Sequence, residues 1–343
     1  MGYKNNNAYV QRQMDRLLGH LEGVNCYCND IVAASDSLEE HLNLLNRLFL
    51  LLQQKNITLN PSKSFVGFPN AVVLGRMVDA FGMSTTDERI NAIKRLKFPQ
   101  NLKELETFIG FTGWLRHQTP MYSILIAPLE ERKTQLNKRA RIKGQPKQKR
   151  NHKTWSVTVA FEEPTAKEMA SFKAIKEALT RNTMVYFFIP TARLFIDFDV
   201  SRHGIGAEVY HVDESTLPKL LDEDGAVTTY PPRTAIRPIA FLSRILSNDE
   251  KKYWPTEMEV LGFVWTVKKA HHWICTTHCP PVTVFTDHGA ILGLRRQADI
   301  ALSTASSART EPASDTCDGV SEQIRVSHPA QARQVSYCSG CSI

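Results

Sequence analysis

Three acidic residues in the second half of the chain have types and placement suited to metal chemistry. In LFIDFDV, Leu194 to Val200, apolar and acidic residues alternate. A strand with that pattern puts Asp197 and Asp199 on one face and Leu194, Ile196 and Phe198 on the other. Asp199 falls near the strand end, just before Ser201-Arg202-His203. Glu259 falls in the first turn of a helix expected after YWPTEME, and Asp287 closes the apolar run VTVF. Carboxylates at the ends of elements from one sheet can converge on a divalent ion. Hard oxygen ligands suit magnesium, which keeps several waters and takes further oxygens from phosphate. Two such ions activate a water and stabilise the leaving oxygen in phosphodiester cleavage. Each acid also has a purely structural reading: Asp199 as a turn former, Glu259 as the capping partner of Thr256, Asp287 as a strand-end turn.

The elements that must position these acids follow from periodicity. RLFIDFDVS, HGIGAEVYHV, RPIAFLSRIL and PVTVFTDH read as strands, and TEMEVLGFVWTVKKAHHWI as a helix before the last of them. The order β-β-β-α-β predicts a mixed sheet with helices packed on it. Thr165-Ala-Lys-Glu168 is a capping box opening another helix, and 213–232 reads as a loop. In the first half, 8–21 has helical spacing, and a short hairpin is expected around 27–34, carrying Asp30. Ser37 and Glu40 form a capping box before a helix with Leu38, Leu42, Leu45, Phe49 and Leu52 on one face. ITLNPSKSFVGF and AVVLGRMVDAFGMS read as short strands with turns at Pro61, Pro69 and Gly82. STTDERINAIKRL and NLKELETFIGFTGWLRH read as two helices. Residues 132–153 carry many positive charges and almost no apolar side chains. That run reads as a linker, either tracking phosphates or simply solvated. After about Leu302 the sequence is small, polar and aperiodic, as in a disordered tail.

The bulk numbers are consistent with this division. The chain has 343 residues, 42% hydrophobic and 22% charged, with net charge +7. That is enough for two or three domains with buried cores. The positive balance leans toward a polyanionic partner. No apolar run is long enough to span a membrane, and the start has no signal-peptide core. Seven irregularly placed cysteines predict reduced thiols, in cytoplasm or nucleus. The cluster His271, His272, Cys275, His278 and Cys279 reads as a polar helix end rather than a zinc site, and Cys338 with Cys341 as no metal site either.

Taken together, these motifs resemble the pol polyprotein of gypsy-type long-terminal-repeat retrotransposons. The resemblance runs from Gly2 to about Gln297 and rests on the order and spacing of its motifs. GYKNNNAYVQRQMD resembles the palm helix that contacts template and nucleotide, which implies a nucleic-acid contact for Gln11. YCNDIV resembles the Tyr-x-Asp-Asp hairpin of reverse transcriptases, implying a catalytic role for Asp30. Lys63, in the segment following the palm helix, and Gly75, in a segment like the primer-grip hairpin, would touch nucleic acid. FIGFTGWLRH resembles the thumb helix that tracks the duplex. There Gly110 would allow close approach to a backbone, and Trp114 would either pack on sugars or anchor the core. DFDVSRHGIGAEVYHV, the stretch from PIAFLSRIL through FVW, and VFTDHGAI resemble the retrotransposon-type RNase H domain. The resemblance makes Asp199, Glu259 and Asp287 ligands for Mg2+ in cleaving the RNA strand of an RNA–DNA hybrid.

Three departures qualify that expectation. Asn29 stands where the family has the first metal-binding Asp of its hairpin, and a neutral amide is a poor magnesium ligand. The family's upstream Asp and its fingers fall outside the chain as read here, so DNA synthesis by this chain alone is not expected. The family's closing acidic motif is absent, but a shifted reading frame starting near 301–310 permits it. On that reading a strand and helix are lost and one sheet edge is left bare. The expectation is therefore an α+β chain. It comprises a partial reverse-transcriptase palm (1–85), thumb-like helices (86–131), a basic linker (132–154), an RNase H-like mixed sheet with flanking helices (155–300) and a disordered tail (301–343). Its partner would be RNA–DNA hybrid or duplex. Its function would be weak magnesium-dependent RNA hydrolysis, or non-catalytic nucleic-acid binding.

Overall fold

A computed structural model describes residues 5–139, 161–181, 183–222, 227–279, 281–286 and 324–327. Contacts divide the chain into two compact units, Met1–Gly75 and Arg76–Ile343.

The first unit holds helix α1 (Asn6–Leu18), the antiparallel hairpin β1 (Val24–Tyr27) and β2 (Asp30–Ala33), helix α2 (Leu38–Gln54) and a short strand β3 (Ala71–Val73). Ser37 caps α2 by accepting from the Glu40 N–H at 3.3 Å. The buried face of α2 is Leu44, Leu48 and Leu52, which meet Leu18, Leu21 and Val24. Leu38, Leu42 and Phe49, expected on the buried side, are exposed. Leucines occupy nearly every side of this helix, so periodicity alone selects the wrong stripe. The turn expected at Pro61 is the 3-10 turn Pro61–Lys63, but the strands expected on either side of it do not form.

The second unit opens with β4 (Arg76–Val78) and β5 (Gly82–Thr85), which pair antiparallel, and β5 pairs with β6 (Val185–Tyr186). Gly82, expected as a turn, begins β5. A Cβ there would meet the Val185 carbonyl oxygen at 2.2 Å, so the glycine permits this close strand approach. Helices α3 (Asp87–Arg95), α4 (Leu102–Gly113), α5 (Tyr122–Arg139) and α6 (Ala166–Thr180) follow. The predicted capping box on Thr165 is present. Their shared core includes Ile93, Leu105, Phe108, Leu129, Phe172 and Ile175.

Part of the expected linker is thus helix. Arg132 is buried, pairs with Glu168 at 2.7 Å and stacks over Phe161 at 4.2 Å. Its charge is neutralised by a residue distant in sequence, which a composition window does not register. Residues 140–154 of that expectation lie outside the described residues.

The main sheet has strand order β11-β10-β7-β8-β9: β7 (Phe195–Val200), β8 (Gly204–Val212), β9 (Ile236–Ile245), β10 (Val282–Phe285) and β11 (Ile324–Ser327). β7, β8 and β9 are antiparallel neighbours, while β10 lies parallel to both β7 and β11. Helix α7 (Pro255–Thr276) covers one face, over Ile196, Phe198, Val209 and Val284. The mixed sheet and its β-β-β-α-β order match the expectation. The tail does not: Ile324–Ser327 is a strand, and it covers the β10 edge that was expected to be bare. The helices read as a separate thumb belong to the same compact unit as this sheet. Ser123 donates its N–H to the Ser243 hydroxyl at 2.9 Å and its hydroxyl to the Ser243 carbonyl at 2.8 Å, tying the start of α5 to β9. Among the described residues no helix is long and apolar enough to cross a membrane.

Candidate functional site

The acidic strand folds as its alternation demands. Phe195, Ile196 and Phe198 are buried, Asp197 is half-buried and Asp199 is exposed. Asp199 lies opposite Gly206 on β8, and Asp197 opposite Glu208. Past Val200 the chain turns tightly. Ser201 and Gly204 exchange backbone hydrogen bonds at 2.9 and 3.2 Å, and the Ser201 hydroxyl accepts from the His203 and Gly204 N–H groups. Asp199 itself therefore sits on regular strand, not in the turn.

Glu259 is buried on α7. The helix is capped at Trp254, whose N–H donates to the Glu257 carboxylate at 2.9 Å, so Glu257 and not Glu259 is the acid of the cap. One turn on, Gly262 lies against β7, and a Cβ there would fall 2.2 Å from Val200 Cγ2. That contact brings the Glu259 turn of α7 to the end of β7 that bears Asp199. Asp287 lies outside the described residues. It follows Phe285 by two positions, and Phe285 pairs in parallel with Asp197, two positions before Asp199. Among the described residues no three His, Cys, Asp or Glu side chains are grouped to hold a metal. The donor chemistry of Asp199 and Glu259, both carboxylate oxygens, fits a hard divalent ion.

Asp197 has a role that sequence reading missed. Its carboxylate accepts from the Tyr210 hydroxyl at 2.8 Å and from the Tyr230 hydroxyl. Burial pushes its pKa up to about 6, against the pull of the two tyrosine hydrogen bonds, and burial beside Asp197 raises Tyr210 well above its usual value. Tyr230 pins the 213–232 loop onto the sheet over Phe195 and Phe285. The available signal was a tyrosine in a loop that also carries Leu217, Leu220 and Val227, apolar residues that share its cluster on the sheet.

The remaining candidates fall in several places. Asp30 is exposed at the start of β2, after a two-residue turn in which Cys28 has φ 55°. Gln11 is occupied structurally: its amide donates to the Cys26 carbonyl at 2.8 Å and accepts from the Cys28 N–H at 2.7 Å, tying α1 to this hairpin. Lys63 is exposed on its 3-10 turn. Leu74 and Gly75 both have positive φ, a turn geometry that suits glycine at the second position. A Cβ on Gly110 would meet nothing within 4 Å, so that face of α4 is open. Trp114 follows α4 directly and is 37% exposed.

Comparison with known proteins agrees with this architecture. Residues 189–310 match the family model described as the RNase H-like domain found in reverse transcriptase. The chain is 26% identical over 289 residues to the retrovirus-related Pol polyprotein from transposon opus of Drosophila melanogaster, covering 84% of this chain and 26% of that protein. It is 24% identical over 288 residues to the transposon Tf2-3 polyprotein of Schizosaccharomyces pombe, covering 83% and 18%. It thus spans about a quarter or less of the length of these relatives. The fold is that of a foamy viral protease-reverse transcriptase solved with double-stranded DNA (TM-score 0.68, 18% identity, 98% of this chain and 51% of that one). The same kind of protein solved with an RNA/DNA hybrid gives a TM-score of 0.64 at 17% identity, over 98% and 40%. Residues 189–310 thus match the model of an RNase H-like domain of the reverse-transcriptase kind, in a chain similar over most of its length to retrotransposon Pol polyproteins.

Proposed function

We propose that this chain hydrolyses the RNA strand of RNA–DNA hybrids in a magnesium-dependent reaction, with Asp199, Glu259 and Asp287 as the metal-holding carboxylates. The observation that carries this reading is the packing of α7 on β7 through Gly262, which puts the Glu259 turn beside the strand end bearing the exposed Asp199. When bound, the metal would activate water and stabilise the leaving oxygen. Asp199, open to solvent at the end of β7, and Glu259, buried on α7, would each supply it a carboxylate oxygen. Strand β7 fixes the backbone of one and helix α7 that of the other, so little reorganisation would be needed when a phosphate arrives.

The hairpin with Asn29 and Asp30 lacks one acid of the usual pair, and we read the polymerase centre as impaired. The test is cleavage of an end-labelled RNA–DNA hybrid with Mg2+ by wild type and by Asp199→Asn. Loss of one acid ligand is expected to lower the rate at least a hundredfold, on the order of 3 kcal/mol of barrier. Hybrid binding without cleavage by the wild type would instead support a nucleic-acid-binding remnant.

A further inference from the structure

Helix α7 presents a thiol and an imidazole side by side on its outer face. Thr266, Ala270 and Ile274 are buried along one row of this helix. His271 and Cys275 each follow that row by one position and are exposed. Four residues apart on a helix, they are neighbours. Cys275 Sγ lies 3.4 Å from His271 Nε2 and 3.8 Å from Nδ1. Tetrahedral zinc holds sulfur at about 2.3 Å and imidazole nitrogen at about 2.0–2.1 Å, which sets the two donors roughly 3.5 Å apart. The separation to Nε2 already has that span, so the pair can close on an ion with little movement of either side chain.

Donor type and position agree on the class of ion. Thiolate and imidazole suit zinc and other borderline or soft ions, whereas magnesium takes oxygen. The last turn of a helix carries the negative end of its dipole, which favours a cation. Cys275 lies one residue before the end of α7 at Thr276. The neighbouring members of the sequence cluster are turned to other contacts. The His272 ring meets Trp273 edge-on, and Cys279 lies past the helix end with its N–H bonded to the Thr277 hydroxyl.

We propose that His271 Nε2 and Cys275 Sγ form a two-point site for zinc, or an ion of its class, with water in the remaining positions. The site is separate from the carboxylates of β7 and α7. Cys275 is sixteen residues beyond Glu259 on one helix, roughly 24 Å along its axis. It depends on neither nucleic acid nor cleavage. Binding displaces the thiol proton, so affinity falls as the pH is lowered. An ion here staples the last turn of α7, just before Thr277 and His278 bond to the Pro190 carbonyl ahead of β7.

The test is chemical footprinting of the fully reduced, full-length chain, read residue by residue by peptide mass spectrometry. Iodoacetamide reports on Cys275 and diethyl pyrocarbonate on His271. Saturating Zn2+ is expected to slow both reactions roughly tenfold or more by mass action, and Mg2+ to slow neither. His272 and Cys279, on the same segment, are expected to keep their rates. In His271→Gln, zinc should no longer protect Cys275. Should that variant lose its helical signal in circular dichroism, the two wild-type footprints decide alone. A thiol–imidazole hydrogen bond with only a structural role predicts no zinc effect at either residue, and that result overturns the site. So does protection of Cys275 without His271, protection that survives in His271→Gln, or equal protection by Mg2+.

Discussion

Asp197 shows how one residue can tie a loop to the strand that bears Asp199 through its charge state. Its carboxyl rises from 3.8 to about 6 because burial outweighs the two tyrosine hydrogen bonds. A carboxyl raised on folding holds its proton more tightly in the native state. Its contribution to stability is therefore full below about pH 3.8 and lost as the pH climbs through about 6. Asp197→Asn removes that titration while keeping a hydrogen-bond acceptor for one tyrosine. The difference in urea midpoint between wild type and variant should move in the variant's favour between pH 4 and 7, and a pH-independent difference would contradict the assignment. Alternation in LFIDFDV made the shared face of Asp197 and Asp199 legible in the sequence. The tyrosine partners were not, because Tyr230 reaches Asp197 across 33 residues. The partners of Gln11 were hidden for a related reason: its amide is used by a hairpin that starts more than a turn of helix beyond α1.

Between elements, the seat of α7 on β7 depends on a missing side chain. Gly262→Ala would drive a methyl to within 2.2 Å of Val200 Cγ2. It should cost about 1–3 kcal/mol, as overpacking does, and be partly rescued by Val200→Ala. Melting of the two single variants and the double variant measures the coupling, and simple additivity would argue against this contact. The same contact should set cleavage, so Gly262→Ala should lose hybrid hydrolysis beyond its effect on stability. A second seam lies at Gly206, where a Cβ would fall 2.0 Å from Met121 Sδ. Met121 holds φ 53°, turning the chain so that its side chain lies over β8 beside the residue opposite Asp199. The strands and helices themselves were readable from periodicity and caps. The glycine seats were not, because what they accommodate comes from distant sequence.

For the whole molecule, the division at Gly75 predicts that denaturation is not a single event. The first unit has a small core of Leu18, Leu21, Val24, Leu44, Leu48 and Leu52, and leaves Leu38, Leu42, Phe49, Phe65 and Phe68 exposed. The second carries two larger clusters among the described residues, the helical core around Leu105 and the sheet core around Ile196. Urea titration of the full chain should show the first unit losing structure at lower denaturant, read by early proteolytic cleavage on the amino-terminal side of Arg76. One coincident transition by all probes would refute the division. Arg132 marks where sequence reading of domains failed, since a charge run hid a helix whose arginine is satisfied by Glu168. Arg132→Ala should cost about 3 kcal/mol or more by stranding Glu168, measurable as a drop in the midpoint of the later transition.

The strand at Ile324–Ser327 has a consequence for the solubility of shortened forms. It runs parallel to β10 and occupies that strand's outer row of backbone donors and acceptors. A chain ending at residue 310 would keep Asp199, Glu259 and Asp287 but present β10 as an open ladder to its neighbours. Such a ladder recruits strands from other molecules, so the trimmed protein should self-associate with rising concentration. Light scattering of the two lengths at matched concentrations would reveal whether the last short strand acts as a built-in guard against polymerisation.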